Sequence, residues 1–205
     1  MNADDKTVIR VFMGIPLSPE VRRYVADIAQ DLSKQVPDVR WVAPENLHVT
    51  LKFIGNCGND MLGRLIEVMK KASFYLPLTL KVGGIGGFPS QGSARVIWVG
   101  AEDEEKKINE LYRALEKGTE KLGFASEKRH YKPHITVGRA KKRPVKLPAG
   151  ISSMGGTGVV LEVGDVVLFR SLLKRTGAEY SVIERVGVKD NFEREGERFG
   201  KTKFS

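Results

Sequence analysis

An internal repeat constrains the fold of this chain more than any other feature of its 205 residues. Each copy begins with an apolar segment that opens on Arg-Val, continues with a helical pattern and ends in a strand that contains His-x-Thr. The copies that open at Arg10 and Arg95 lead to His48 and His134, so the two histidines lie 86 residues apart. Matched order and spacing indicate a duplication. Two copies of one strand–helix–strand unit are expected to pack about a pseudo-two-fold axis.

The two strands that end the copies alternate between polar and apolar residues. The segments "HVTL" and "HITV" begin at His48 and His134, and each carries a threonine two positions later, Thr50 and Thr136. Successive side chains of a strand point to opposite faces, so the histidine and the threonine of each segment are neighbours on one face. We therefore expect both polar faces to line one shared cleft.

The rest of the chain predicts further helices and strands around these units. Three amphipathic helical patterns are predicted, after Ser18, after Asp60 and with apolar residues from Ile108 to Leu122, and two closing strands are predicted over 159–173 and 179–188. The glycine-rich "GGIGGF" (83–88) is predicted to be a turn between the lobes. The repeat units span about 10–54 and 95–139, and the length of the chain allows one large domain or two small lobes. The charged residues 188–205 are expected to form a loose tail.

Composition narrows the class of protein. A net charge of +9 and an isoelectric point of about 9.6 favour polyanionic partners such as RNA. No apolar run approaches the length of a membrane span, and the N-terminus shows no secretion signal. The single cysteine, Cys57, excludes an internal disulfide and a cysteine metal cluster. The cytoplasm is the predicted compartment.

Two histidines beside two threonines suit displacement at phosphorus. One imidazole can take a proton from the nucleophile while the other gives a proton to the leaving oxygen. The hydroxyls of Thr50 and Thr136 can donate hydrogen bonds to the phosphate oxygens. A zinc site is less favoured, because no suitably spaced Cys, Asp or third His joins the two histidines. His130 lies four residues before His134, but Pro133 between them argues against a helix that would place both as ligands. The near-symmetric repeat leaves open which histidine is the acid.

Five segments together resemble the 2H phosphoesterase superfamily, and within it the RNA 2′,3′-cyclic phosphodiesterase family, once described as 2′-5′ RNA ligases. They are "RVFMGI", "WVAPENLHVTLKFIG", "GGFPSQGSARVIWVG", "YKPHITVGR" and "LFRSLLKRTGAEYSVI". The resemblance implies a single bilobal α+β domain over residues 1–187, in which two antiparallel sheets flank a central cleft and the helices lie outside. It also implies hydrolysis of an RNA 2′,3′-cyclic phosphate to a 2′-phosphomonoester.

The resemblance also implies roles for individual residues. His48 corresponds to the proton donor for the leaving O3′, and His134 to the base that activates water. Thr50 and Thr136 would hold the phosphate. Arg139 follows the second motif where the family often has a phosphate-contacting arginine, although strict alternation would turn it away from the cleft unless the strand bends near Gly138.

Several further expectations complete the sequence-based account. Phe12 and Trp98, on the two first strands, are candidates for stacking on a base. No metal or other cofactor is expected, and RNA ends or small cyclic nucleotides are the expected partners of a monomer without an obligate protein partner. A module that binds a nucleotide or RNA end without turnover, and a reversible 2′-5′ RNA ligase, remain alternatives.

Overall fold

The computed structural model describes residues 8–153, 158–174 and 177–188. Within these ranges the chain forms nine strands and three α-helices. The strands are β1 Val8–Pro16, β2 Val39–Trp41, β3 His48–Gly58, β4 Leu78–Ser90, β5 Ser93–Glu102, β6 His134–Ala140, β7 Val159–Val163, β8 Asp165–Lys174 and β9 Gly177–Gly187. The helices are α1 Pro19–Ser33, α2 Asp60–Ala72 and α3 Lys107–Glu120.

The strands form two matching antiparallel halves. The sheet order is β7-β4-β5-β6-β3-β1-β8-β9, and the short β2 pairs with β6 outside this order. The strands β3 and β6, which carry the two His-x-Thr motifs, meet in the middle through one residue pair, Val49 and Ile135. The α+β fold with two repeated halves is confirmed, and this single pair joins the two predicted sheets into one.

The helices pack on the side of the sheet that the apolar strand residues face. Ser18 accepts a hydrogen bond from the Val21 amide and so caps α1, whose first turn holds Pro19. Helix α1 packs against β6 and β7 of the second half, whereas α2 and α3 pack on β3 of the first. Helices α1 and α3 therefore each cover strands of the opposite half, and the apolar core is continuous between the halves.

Two expectations about loops and strands are wrong. The segment 83–88 is part of strand β4, because its glycines make room for neighbours: a Cβ at Gly86 would lie 2.2 Å from the Trp98 ring. The segment 159–173 is two strands that separate at Gly164, with β7 at one edge of the sheet and β8 beside β1.

The structure bears on two further expectations, the charged tail and the absence of a membrane span, only within the residues that it describes. The predicted tail lies outside them except for Val188. None of the helices in the described ranges is long and apolar enough to cross a bilayer.

Candidate active site

The four motif residues come together where the two halves of the sheet meet. The paired Val49 and Ile135 are fully buried on the core side, so His48, Thr50, His134 and Thr136 project from the opposite face. An antiparallel pair centred on Val49 and Ile135 brings His48 toward Thr136 and Thr50 toward His134. One concave surface therefore presents two imidazoles and two hydroxyls, and we call it the cleft face.

Both motif strands contain an extra residue directly after the threonine. Leu51 and Val137 are skipped in the pairing with β1 and β5, which is the pattern of a β-bulge. The bulge changes the face to which the later residues of the strand point. Arg139 pairs with Val96, two residues from the Trp98 that faces Thr136, so Arg139 returns to the cleft face. Phe53 occupies the matching position of the first half.

The backbone fixes the orientation of both imidazoles. His48 Nδ1 lies 2.7 Å from the Asn46 carbonyl oxygen, and His134 Nδ1 lies 2.7 Å from the Lys132 carbonyl oxygen. A carbonyl only accepts hydrogen bonds, so Nδ1 carries the proton in each neutral ring and Nε2 is left as the reactive nitrogen. In the first half, the Thr50 hydroxyl lies 3.0 Å from His48 Nε2 and donates to it.

His48 lies against a wall of aromatic rings. The centroid of its ring is 4.7 Å from that of Phe12, 5.9 Å from Phe169 and 5.2 Å from Tyr180, which meets it edge-on. This burial is the main cause that lowers the pKa of His48 to about 4. The Arg139 charge, and that of His134 when it is protonated, lower this pKa further, and the backbone hydrogen bond opposes them.

His134 also lies against aromatic rings, but fewer of them than His48. Phe88 meets its ring edge-on at 5.0 Å, and the Trp98 ring lies 6.3 Å away. The Lys132 ammonium sits 4.2 Å above the Trp98 ring, a cation–π contact that fixes the residue whose carbonyl holds His134. Burial lowers the pKa of His134, and the charges of Arg139 and Lys132 act in the same direction. Both imidazoles are therefore neutral at pH 7 in the free protein.

The position before His48 is also anchored. The Asn46 side-chain amide donates a 2.7 Å hydrogen bond to the Ala178 carbonyl at the start of β9. Opposite Thr50, Gly14 leaves space for the imidazole, since a Cβ there would lie 2.8 Å from the Val49 carbonyl oxygen and 3.4 Å from the His48 ring. These contacts hold His48 from both sides.

A polar network connects the two motifs behind the cleft. Lys52 is 4% exposed on the core side of β3, and its ammonium contacts Glu116 of α3 at 2.7 Å and the Ala125 carbonyl at 2.7 Å. Further along the same loop, the Tyr131 hydroxyl donates to the Thr50 carbonyl at 3.1 Å. The loop that leads into the second motif is thus fastened to the strand of the first.

The two base-stacking candidates are both buried. Phe12 is 2% exposed and is stacked on Phe169, and Trp98 is 9% exposed. Their positions are not equivalent, because Phe12 faces Phe53 whereas Trp98 faces Thr136. Phe53 is 60% exposed and offers a more accessible ring on the cleft face. Sequence reasoning missed Phe53. Its 86-residue spacing from Arg139, the same as that between the two histidines, is the signal that identifies it.

Positive charge gathers at one side of the cleft. The charge of Arg139 lowers the pKa of both imidazoles. Burial raises the pKa of the Tyr180 hydroxyl, and the charges of Arg139 and Arg10 partly oppose that rise. Neither arginine forms an ion pair in the part of the chain that the structure describes. His130 is exposed, and the described ranges hold no group of three or more His, Cys, Asp or Glu side chains placed to bind a metal.

Comparison with protein families identifies similar sequences over most of the chain. A family described as LigT-like phosphoesterase matches twice, over residues 15–98 and 99–180. The two matches divide the chain into the two halves inferred from the repeat.

Relatives with names and solved structures are also similar. An RNA 2′,3′-cyclic phosphodiesterase of Methanothermobacter thermautotrophicus is 36% identical over 86% of this chain and 97% of its own. One from Archaeoglobus fulgidus is 34% identical over 84% of this chain and 96% of its own. A crystal structure from Thermus thermophilus matches with a TM-score of 0.73 at 27% identity, over 88% of this chain and 98% of its own. Escherichia coli LigT complexed with 3′-AMP shares the fold, with a TM-score of 0.73 at 23% identity over 88% and 98% of the two chains.

Proposed function

Because this chain belongs to the LigT-like phosphoesterase family, we propose that it hydrolyses the 2′,3′-cyclic phosphate at the end of an RNA to a 2′-phosphomonoester. The observation that carries the proposal is the pair of imidazoles on one cleft face, each held by the carbonyl two residues before it. The relatives of known name act on the same type of phosphate, and they match nearly their whole length.

The reaction divides between the two imidazoles. A water molecule attacks phosphorus in line with the P–O3′ bond, and His134 Nε2 accepts its proton. The P–O3′ bond breaks as His48 Nε2 gives a proton to O3′, so the products are a 3′-hydroxyl and a 2′-phosphate. A later exchange of protons with solvent restores both rings. A positioned general acid or base of this kind typically raises the rate by about 10²–10⁴-fold.

The bound phosphate has to promote the protonation of His48 before this residue can act as the acid. An acid at this position must carry protons on both nitrogens, yet the free ring is neutral at pH 7 because of its aromatic wall. The negative charge of the bound phosphate favours the imidazolium and opposes the effect of burial. The Thr50 hydroxyl then turns from His48 Nε2 to a phosphate oxygen, and Thr136 and Arg139 contact the same group.

The preference for RNA follows from the bond that reacts. A 2′,3′-cyclic phosphate exists only where a 2′-hydroxyl is present, which excludes DNA as a substrate. The exposed ring of Phe53 on the cleft face offers a surface for the terminal base, since stacking contributes about 1–3 kcal/mol per base. The cytoplasmic location, the monomeric state and the domain boundary at residue 187 stay predictions from the sequence.

Turnover of a short RNA that ends in a 2′,3′-cyclic phosphate tests the proposal. The wild-type protein should convert it in the presence of EDTA, and His48→Asn and His134→Asn should each lower kcat by about 10²-fold or more. Arg23→Gln, an exposed change on α1, serves as the control. Tight binding of the RNA without turnover would instead indicate the binding module, and loss of activity in EDTA would overturn the metal-free mechanism.

A further inference from the structure

Strand β2 places a second arginine directly beside Arg139. The register of β2 and β6 pairs Val39 with Ala140, Arg40 with Arg139, and Trp41 with Gly138. Val39 is buried, and both Val39 and Trp41 lie against the side of Gly138 that faces the core. Arg40 is therefore on the opposite side of β2, which is the cleft face that Arg139 shares.

Two like charges at directly opposite positions of an antiparallel pair are unfavourable. Their Cβ atoms lie about 4.5–5.5 Å apart, and such a pair destabilises a sheet. Arg40 and Arg139 are both exposed, and neither pairs with a carboxylate anywhere in the described ranges. Since Arg139 contacts the reacting phosphate, a second anion bound at the Arg40 guanidinium would offset this repulsion, because an arginine fork suits the oxygens of a phosphate.

The position of the pair relative to the reaction centre indicates which phosphate it binds. Arg139 faces Val96 and Thr136 faces Trp98, so the two residues are separated by two steps of β5, about 6.6 Å at 3.3 Å per residue. Arg40 lies one strand farther, about 4.8 Å. The reacting phosphate is held at Thr136, and the distance onward to Arg40 corresponds to roughly one nucleotide step along a bound chain.

We propose that Arg40, beside Arg139, binds the phosphodiester that precedes the terminal nucleotide, which makes the protein selective for the ends of RNA chains over nucleoside 2′,3′-cyclic phosphates. This inference rests on the proposed function, since it extends the substrate of the same cleft. Arg40 is a specificity residue in this account and does not touch the reacting atoms.

The test compares two substrates with and without Arg40. The substrates are adenosine 2′,3′-cyclic phosphate, which has no preceding phosphodiester, and a trinucleotide that ends in the same group. Arg40→Gln should lower kcat/KM for the trinucleotide about 5–20-fold, the usual effect of one phosphate contact at low salt, and leave the value for the mononucleotide within about two-fold. The slope of log kcat/KM against log salt should fall by about one for the trinucleotide.

Two controls separate this role from a structural one. Arg23→Gln removes the same charge from the exposed face of α1 and should alter neither substrate's kcat/KM. The melting temperature of Arg40→Gln without ligand should stay unchanged or rise, because the substitution removes a repulsion. Equal losses on both substrates, no loss on either, or a clear fall in melting temperature would overturn the proposal.

A direct binding measurement keeps the inference testable if the proposed reaction fails. Should the wild-type protein turn over neither substrate, its dissociation constants for a trinucleotide with a terminal 2′-phosphate and for adenosine 2′-monophosphate still report on Arg40. The proposal expects Arg40→Gln to weaken only the trinucleotide, again about 5–20-fold. Equal affinities of wild type and variant for the trinucleotide would refute it.

Discussion

The protonation of His48 can be followed directly by NMR, since the chain contains only three histidines. The expected perturbation is the binding of adenosine 2′-monophosphate, an analogue of the product. In the free protein the ring should titrate at a pKa of about 4 instead of its usual 6.5. That difference corresponds to about 3 kcal/mol that disfavours the imidazolium.

A bound phosphate should reverse part of this effect. An opposite charge within about 4–6 Å shifts a pKa by about 1–3 units toward the charged form. We therefore expect the pKa of His48 to rise by that amount when the nucleotide saturates the site. Two-dimensional NMR of the imidazole resonances measures both states, and His48→Gln assigns the signal.

Removing part of the aromatic wall provides a matched perturbation without ligand. Tyr180→Ala should admit water to the edge of the His48 ring and raise its pKa toward the usual value, because burial is the largest cause of its lowering. Two results would refute the reasoning: a His48 pKa at or above 6.5 in the free wild-type protein, or a pKa that does not move when the nucleotide binds.

The same lowering of the His48 pKa predicts how stability depends on pH. Between pH 4 and 6.5 the unfolded chain binds more protons at this residue than the native state does. The stabilisation from a neutral His48 is complete above pH 6.5 and is lost as the pH falls toward 4. Thermal unfolding of wild type and His48→Gln should show a smaller loss of stability in this range for the variant, and parallel curves would contradict the assignment.

Three further substitutions test the structure around the cleft. Lys52→Met should destabilise the fold by about 3–5 kcal/mol in urea unfolding, because Glu116 is left unpaired, and adding Glu116→Gln should recover much of the loss; additive losses would argue against the ion pair. Thr50→Val should lower kcat about 10²-fold with little change in melting temperature, whereas a large fall in melting temperature would make the hydroxyl structural. Gly86→Ala should cost about 1–3 kcal/mol through overlap with the Trp98 ring, seen as altered tryptophan fluorescence; an unchanged unfolding curve would contradict that contact.

The sequence predicted the duplication and the shared cleft because those features depend on local patterns. The alternation around His48 and His134 survives in the structure, and the 86-residue spacing reflects two matching halves. A period of two residues assigns a face without knowledge of the partner strand. The predicted helices follow for a similar reason, since their apolar faces repeat at helical spacing.

Features that depend on pairing were beyond the sequence. Strict alternation turned Arg139 away from the cleft, and only the bulge at Val137, defined by its pairing with β5, returns it. The role of Arg40 depends on the register of β2, a strand of three residues. Glycines are ambiguous in isolation: the composition of "GGIGGF" favours a turn, although Gly86 makes room for Trp98 within strand β4.

The most direct test of the central claim is the position of the phosphate and of the incoming oxygen after reaction. An RNA that ends in a 2′,3′-cyclic phosphate is incubated with EDTA in water enriched in oxygen-18, and the product is examined by phosphorus NMR. The account predicts a 2′-phosphate that carries the heavy oxygen on phosphorus, and its loss in both His48→Asn and His134→Asn. A 3′-phosphate, or an unchanged yield of 2′-phosphate from either variant, would contradict it.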